Sequence, residues 1–275
     1  MDLGLKNRVA LVAGGSSGLG LAIAKELAAE GAHVAVGARD RERLAAAERS
    51  IREVARGRIH TASVDITDAV AARRWVDEVA AEIGALHIVL VSGGSPPIGV
   101  ASQFELDEYR AAIDGVLLPA VGIARAALPH LKAAGWGRLL FIASETAYVP
   151  IPPLALSGVT RAGIVRFAQA LASDLGRDGI TVNVLAPGGA RTPPMERAAA
   201  KLAHGGDVEA QLRAMGHHNA LGRLARPGEI AAVAAFLASE RASFVTGTVQ
   251  LIDGGASVMG PELPHLTAAG KDTYT

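Results

Sequence analysis

Short apolar runs alternate along this chain with longer stretches whose apolar positions recur at helical spacing. The runs are residues 9–13, 33–38, 59–64, 86–91, 138–143, 181–186 and 249–252. Most are continuously apolar rather than alternating, the pattern of strands buried on both faces. Helical periodicity fills the gaps at 21–30, 41–55, 69–83, 105–134, 159–175 and 227–239. Strands separated by helical crossovers predict an α/β fold, a doubly wound parallel seven-stranded sheet with helices on both faces. The pattern runs without a linker through residues 1–255, which predicts a single domain. Residues 192–226 interrupt it, and they read as an irregular insertion of a length that usually serves as a lid. Residues 256–275 carry two prolines and little periodicity, and read as a surface tail.

Two helical stretches, 113–131 and 159–175, are apolar nearly all round. A helix lying on a sheet needs one apolar stripe, so the excess predicts a subunit interface and a homo-oligomer.

Composition narrows the function classes. Half of the 275 residues are apolar, enough for a large core. The 27 basic and 27 acidic residues cancel, which argues against a nucleic-acid or anionic-membrane surface. Cysteine is absent, so disulfides, thiolate metal sites and cysteine nucleophiles are excluded. The first residues, MDLGLKNR, are not a signal peptide, and no apolar run is read as reaching transmembrane length. A soluble, cytoplasmic protein acting on a small molecule is expected.

The segment VALVAGGSSGLG, residues 9–20, organises the rest. A buried strand breaks into Gly14, Gly15, Ser16, Ser17, Gly18, Leu19 and Gly20, and an alanine-rich helix follows at once. Strand, glycine turn and helix N-terminus together present amides and a positive dipole end to a pyrophosphate. The spacing Gly-x-x-x-Gly-x-Gly differs from the G-x-G-x-x-G fingerprint, so the glycines count as a dinucleotide site only with their strand–helix context.

Several separated motifs then agree, and over about residues 5–255 the chain resembles the short-chain dehydrogenase/reductase family, with its Rossmann-type fold. Ala13 to Gly20 is similar to the family's Thr-Gly-x-x-x-Gly-x-Gly turn. Asp65-Ile66 matches the acidic-apolar pair that holds adenine, and Ser92-Gly93-Gly94 sits at the Asn-Ala-Gly stretch. Pro187-Gly188-Gly189-Ala190-Arg191-Thr192 matches Pro-Gly-x-x-x-Thr, whose threonine meets the nicotinamide carboxamide. Arg223, the 227–231 segment PGEIA, FLAS at 236–239, Thr246-Gly247 and Asp253-Gly254-Gly255 follow the family's C-terminal pattern. The resemblance implies a tetramer.

The same register exposes a departure. Ser144 fits the family's catalytic serine, but thirteen residues on, where Tyr-x-x-x-Lys belongs, stand Ser157-Gly158-Val159-Thr160-Arg161. Val116 aligns with the family's further asparagine. Three of four positions therefore differ, and the chain is similar to a divergent branch with Ser-x-x-x-Arg there, of oxoacyl-carrier-protein-reductase-like proteins. In the resemblance tyrosine protonates the carbonyl oxygen, and lysine lowers its pKa and holds the ribose. A serine hydroxyl is a far weaker acid than a tuned tyrosine. Arginine stays charged and offers five donors, so Arg161 can orient ribose and stabilise an alkoxide, but it cannot join a proton relay. Tyr148, four residues past Ser144, is the first candidate for a relocated acid or for a pocket wall; Glu145 and the pair His217-His218 are weaker ones. His33, His60 and His87 fall in strand patterns and read as structural.

Cofactor choice is read just past the second strand, where an acid selects NAD and an arginine accommodates the 2′-phosphate of NADP. Arg39 precedes Asp40, which favours NADP(H) over NAD(H); the alternative is a surface arginine paired with Asp40. The expected cofactor-binding set is Gly14, Ser16, Ser17, Gly18, Leu19, Arg39, Asp65, Ile66, Ser92, Gly93, Gly94, Arg161, Pro187, Gly188 and Thr192; the expected catalytic set is Ser144, Ser157, Arg161 and Tyr148. No metal site is expected. Pro96-Pro97-Ile98, the 150–154 segment PIPPL and the insertion suggest a small apolar substrate, acyl or cyclic. The leading expectation is an atypical oxidoreductase interconverting a carbonyl and an alcohol. A cyclase, lyase or isomerase on the same fold, or a non-catalytic dinucleotide-binding protein, are the alternatives.

Overall fold

Val9–Ala13, buried at all five positions, forms β1 and lies between two parallel neighbours. They are β2 (His33–Ala38) and β4 (Ile88–Val91). With β3 (Ile59–Ser63), β5 (Gly137–Ile142), β6 (Ile180–Pro187) and β7 (Val249–Ile252) they make a seven-stranded sheet ordered β3-β2-β1-β4-β5-β6-β7. Every neighbouring pair is parallel. The computed structural model describes residues 2–259; the tail beyond them lies outside the described residues. The doubly wound sheet predicted from the alternating pattern is therefore present, with boundaries displaced by one or two residues at several ends.

Two apolar layers cover the faces. One packs α3 (Ala69–Ile83), α5 (Leu118–Ala134) and α6 (Ala155–Leu175) on the sheet through Trp75, Ile123, Leu131 and Ile164. The other packs α1 (Gly18–Ala29), α2 (Arg41–Arg52) and α9 (Pro227–Leu237) through Ile23, Leu27, Leu44 and Ile230. The strand order reverses between β1 and β4, and that is where a crevice opens at the carboxyl edge of such a sheet.

The periodic stretch 105–134 is not one uniform helix. It comprises α4 (Leu106–Ala112), a π-helical turn at Ile113–Leu117 and α5. Pro119, at the start of α5, has no N–H to donate, and the wider turn just before it accommodates the missing bond. Contrary to the expectation that no apolar stretch reaches transmembrane length, Leu106–Ala134 is long and apolar enough to cross a bilayer, a test that core helices also pass. Here its inner face packs against α3, β4 and β5, as expected of a core helix. Leu118 on α5 and Val159 on α6 are each about half exposed, which leaves apolar surface on the outer faces of both helices.

The insertion is ordered rather than irregular, which corrects the expectation for residues 192–226. It holds α7 (Pro193–Leu202) and α8 (Val208–Gly216). Pro193 and Pro194 suit the first helical positions, where an amide proton is not needed. Asp207 caps α8 by accepting from the Ala210 N–H at 3.0 Å. Arg191, just past β6, binds Glu196 of α7 at 3.1 Å and Glu209 of α8 at 2.6 Å, so both helices of the insertion are tied to the sheet edge.

Candidate active site

The glycine turn is built for close backbone approach. Gly14 has φ +77°, and a Cβ there would stand 1.8 Å from the Ser92 carbonyl oxygen. A Cβ on Gly20 would stand 2.3 Å from the Gly14 carbonyl oxygen. These two glycines let β1, the turn and the start of β4's loop touch one another. Gly18, φ +55°, faces more open space, and its nearest neighbour is the Thr192 side chain at 3.5 Å from a notional Cβ. Thr192, from the loop after β6, therefore closes over the turn.

Helix capping gives a second observation. Asp40 caps α2 through the Arg43 N–H, and Asp68 caps α3 through the Val70 and Ala71 N–H groups. Ser17, at the same position on α1, makes no side-chain cap. The first-turn amides of α1 thus keep their donors for an external anion, in a cradle that side chains would fill. Those residues fit the pyrophosphate of a dinucleotide.

A cleft of about 500 Å³ opens from this turn across the switch point. Gly14, Ser16, Ser17, Arg39, Asp65, Ile66, Ser92, Gly93 and Gly94 all line it. Arg39 is exposed at its mouth and lies 3.9 Å from the Asp65 carboxylate. Asp40 does not pair with Arg39; it is held by the Arg43 side chain at 3.1 Å as well as by its cap. Asp65 accepts from the Thr67 amide and hydroxyl, which holds its pKa below the usual carboxylate range. Gly18, Leu19, Ser144, Tyr148, Ser157, Arg161, Pro187, Gly188 and Thr192 lie outside the lining of this cleft. Pro187 ends β6, and Gly188 follows it.

At the other end of the crevice, α6 begins at Ala155, four residues before the predicted start, so Ser157 and Arg161 lie on its opening turns. Arg161 donates to the carbonyl oxygens of Ile142 at 2.9 Å, Gly93 at 3.1 Å and Gly94 at 2.7 Å. The cation ties the ends of β4 and β5 together. Desolvation pulls its pKa down to about 10, with no carboxylate among the described residues offsetting it. It remains charged at neutral pH. Val116 and Arg161 border a void of about 10 Å³, hardly enough for one water.

Ser144 Oγ accepts from the Thr146 N–H at 3.2 Å, and Ser157 Oγ lies 3.2 Å from Thr146 Oγ1. The structure thus brings Ser144 and Ser157 together through Thr146, which the sequence reading missed. A hydroxyl residue two positions past a strand-ending serine was the available signal. Tyr148 follows the short turn Glu145–Ala147 and is half exposed. Burial of its ring pushes its pKa up, with Arg166 as the opposing influence. That direction is unfavourable for an acid at neutral pH. Glu145 lies against Gly188, its Oε2 3.0 Å from where a Cβ would stand. Burial, together with the nearby Asp253, raises its pKa.

His217 and His218 are exposed at the end of α8. His33 and His87 accept backbone amides of Arg58 and Val9, in keeping with structural roles. The proline segments meet where the Gly99 N–H donates to the Pro153 carbonyl at 2.8 Å and Gly99 bridges Leu154. No group of three or more potential metal ligands occurs among the described residues.

Comparison with known proteins agrees with the fold. A family model described as enoyl-(acyl carrier protein) reductase matches residues 13–257. A cis-4-hydroxycyclohexanecarboxylate dehydrogenase of Sinomonas cyclohexanicum is 34% identical over 251 residues, covering 90% of this chain and 96% of that protein. The 4-formylbenzenesulfonate dehydrogenase TsaC1/TsaC2 of Comamonas testosteroni is 33% identical over 261 residues, covering 93% and 100%. The crystal structure of L-sorbose reductase from Gluconobacter frateurii, complexed with NADPH and L-sorbose, superposes with a TM-score of 0.90 at 32% identity, covering 94% of this chain and 100% of that one.

Proposed function

The chain belongs to the short-chain dehydrogenase/reductase family, and from that premise we propose an NADP(H)-dependent oxidoreductase that interconverts a cyclic or otherwise apolar ketone with its alcohol at a site lacking the usual tyrosine and lysine. The bound nicotinamide supplies hydride chemistry; the chain's own groups hold the cofactor and manage charge at the reacting oxygen. Arg39 at the mouth of the cleft carries the cofactor preference. Its guanidinium is exposed and loosely held, whereas Asp40 is occupied by Arg43 and by its capping bond. A 2′-phosphate thus meets an available cation, and ribose hydroxyls meet an engaged carboxylate.

The glycine turn would hold the pyrophosphate, Asp65 and Ile66 the adenine, and Thr192 with Pro187 and Gly188 the nicotinamide. Leu19 and the loop Ser92, Gly93, Gly94 complete the binding wall. At the reacting end Ser144 holds the substrate oxygen and Ser157 positions the substrate or a proton-delivering water. Arg161 supports this end in a way the sequence alone did not suggest. Its bonded donors run to backbone carbonyls, so it holds the cofactor loop in shape while its uncompensated charge favours an alkoxide. The apolar proline walls, and a relative named for a cyclic hydroxy acid, support a cyclic substrate. The apolar outer faces of α5 and α6 support a homo-oligomer, a tetramer by family resemblance.

Calorimetric titration with NADPH and NADH tests the cofactor assignment, with tighter NADPH binding expected and the difference lost in Arg39→Ala. Equal affinities in the parent protein would overturn it. Turnover of a panel of cyclic ketones and keto sugars with the preferred cofactor tests the reaction. The substitution of serine and arginine for the usual pair also favours a non-catalytic dinucleotide-binding protein, with a non-redox enzyme on the same fold as the other alternative. Tight NADPH binding without turnover would support that reading instead.

A further inference from the structure

Thr146 touches both hydroxyls assigned above to the reacting end. Its N–H donates to Ser144 Oγ at 3.2 Å, and its own hydroxyl lies 3.2 Å from Ser157 Oγ. Its side chain is buried, and Ser157 is the one hydrogen-bond partner of its hydroxyl among the described residues. Its carbonyl oxygen lies 3.1 Å from where a Cβ on residue 158 would stand, so the first turn of α6 seats this closely because that residue is glycine.

A buried hydroxyl needs a partner, and a serine hydroxyl without one samples several rotamers. A tyrosine at position 157 would be oriented by the packing of its ring. Serine has no ring, so its direction has to come from a neighbour. Arg161 does not provide it, because its observed bonds go to Ile142, Gly93 and Gly94. We propose that Thr146 is a positioning residue for the reaction, fixing the Ser157 hydroxyl and holding that of Ser144 on the same short turn. This rests on the oxidoreductase reading above. It replaces the orientation a tyrosine carries within itself by a contact between β5's exit and α6.

The test uses the full-length protein with Thr146→Val, which removes the hydroxyl, and Thr146→Ser, which keeps it. Thr146→Ala serves if valine prevents folding. Each is titrated with NADPH, assayed on the ketone panel for kcat and KM separately, and melted. We expect Thr146→Val to lower kcat about five- to tenfold, with NADPH affinity changed less than about twofold and most of kcat recovered by Thr146→Ser. The melting losses of Thr146→Val and Ser157→Ala are expected to be less than additive, since both delete one shared bond. Unchanged kcat in Thr146→Val, no recovery by serine, or additive melting losses would each overturn the proposal while the oxidoreductase reading stands. Failure of the parent protein to turn over any ketone, despite binding NADPH, would overturn that reading and this role with it.

Discussion

Arg161 Nη2 donates to the Gly94 carbonyl oxygen at 2.7 Å, so a cation on α6 holds the loop that leaves β4 and lines the cofactor cleft. The same guanidinium reaches Ile142 at the end of β5. Arg161→Ala would leave three carbonyls without this partner. The expected cost in stability is about 1–3 kcal/mol, toward the lower end because the residue is only partly buried. NADPH affinity should fall with it, since the loop loses its tether. Arg161→Lys should recover only part of either property, because a single ammonium cannot span the fork. Melting curves and calorimetric titration of both variants check this; full recovery by lysine would show that charge alone is what matters at this position.

Gly14 and Gly18 should fail differently, although both belong to one motif. A side chain at 14 would meet the backbone of Ser92 at 1.8 Å, with positive φ besides. Gly14→Val is expected to prevent folding or lower the melting temperature severely. At Gly18 the neighbour is the Thr192 side chain, 3.5 Å away, so Gly18→Val should fold at the cost of a left-handed backbone, about 1–2 kcal/mol. It would also crowd the phosphate cradle and abolish dinucleotide binding. Nucleotide affinity unchanged in a folded Gly18→Val protein would contradict the cradle.

Much of the fold is legible in the sequence alone. Apolar runs revealed β1 and β2 to the residue, because strands buried on both faces leave a nearly unbroken pattern; β7 also matched, although Gln250 and Leu251 are exposed. Asp68 and Gly84 mark the ends of α3 as plainly. The two helices of the insertion were hidden because α7 opens on two prolines, and the turn between α7 and α8 holds Gly205 and Gly206. Those residues read as loop unless their capping role is weighed. The roles of Arg161 and Thr146 were hidden for another reason. Their partners are main-chain atoms and a hydroxyl brought in by the crossing of α6 over the strand ends. Residue types in a sequence do not disclose which carbonyl a guanidinium will meet.

Glu145 should leave a signature in the pH dependence of stability. Burial and Asp253 raise its pKa in the folded protein. The folded state then holds the proton more tightly than the unfolded chain. Stability from this group is present below the unfolded value near 4.5 and lost as pH rises through the folded value. Glu145→Gln keeps the neutral shape and removes the titration, so its advantage over the parent should appear as pH rises above that window. Asp65, also shifted but downward, acts in the opposite sense and cancels in the comparison, whereas Asp253 faces Glu145 and loses that repulsion in the variant. Parallel stability curves for parent and variant would show that Glu145 ionises freely.

The last prediction concerns how the proton reaches the substrate oxygen. A general acid contributes typically 10²- to 10⁴-fold, whereas a hydroxyl that only orients contributes less. Ser157 is a weak acid held by Thr146, so Ser157→Ala should cost about tenfold in kcat, short of that range. Tyr148 is half exposed, and burial of its ring moves its pKa away from neutrality, so Tyr148→Phe should leave kcat within about twofold and the pH–rate profile unmoved. Ser144→Ala should cost more than Ser157→Ala, since Ser144 stands at the end of β5, where the family's oxygen-holding serine belongs. If water delivers the proton, no single one of these variants removes an ionisation from the profile. A loss beyond about a hundredfold in Ser157→Ala, with its NADPH affinity intact, would make Ser157 the proton carrier. A comparable loss in Tyr148→Phe, with a shifted alkaline limb, would place the acid on the loop after β5 instead. The pH–rate profiles of the three variants on one confirmed ketone separate these cases, because orientation changes the height of the curve and a lost acid changes its shape.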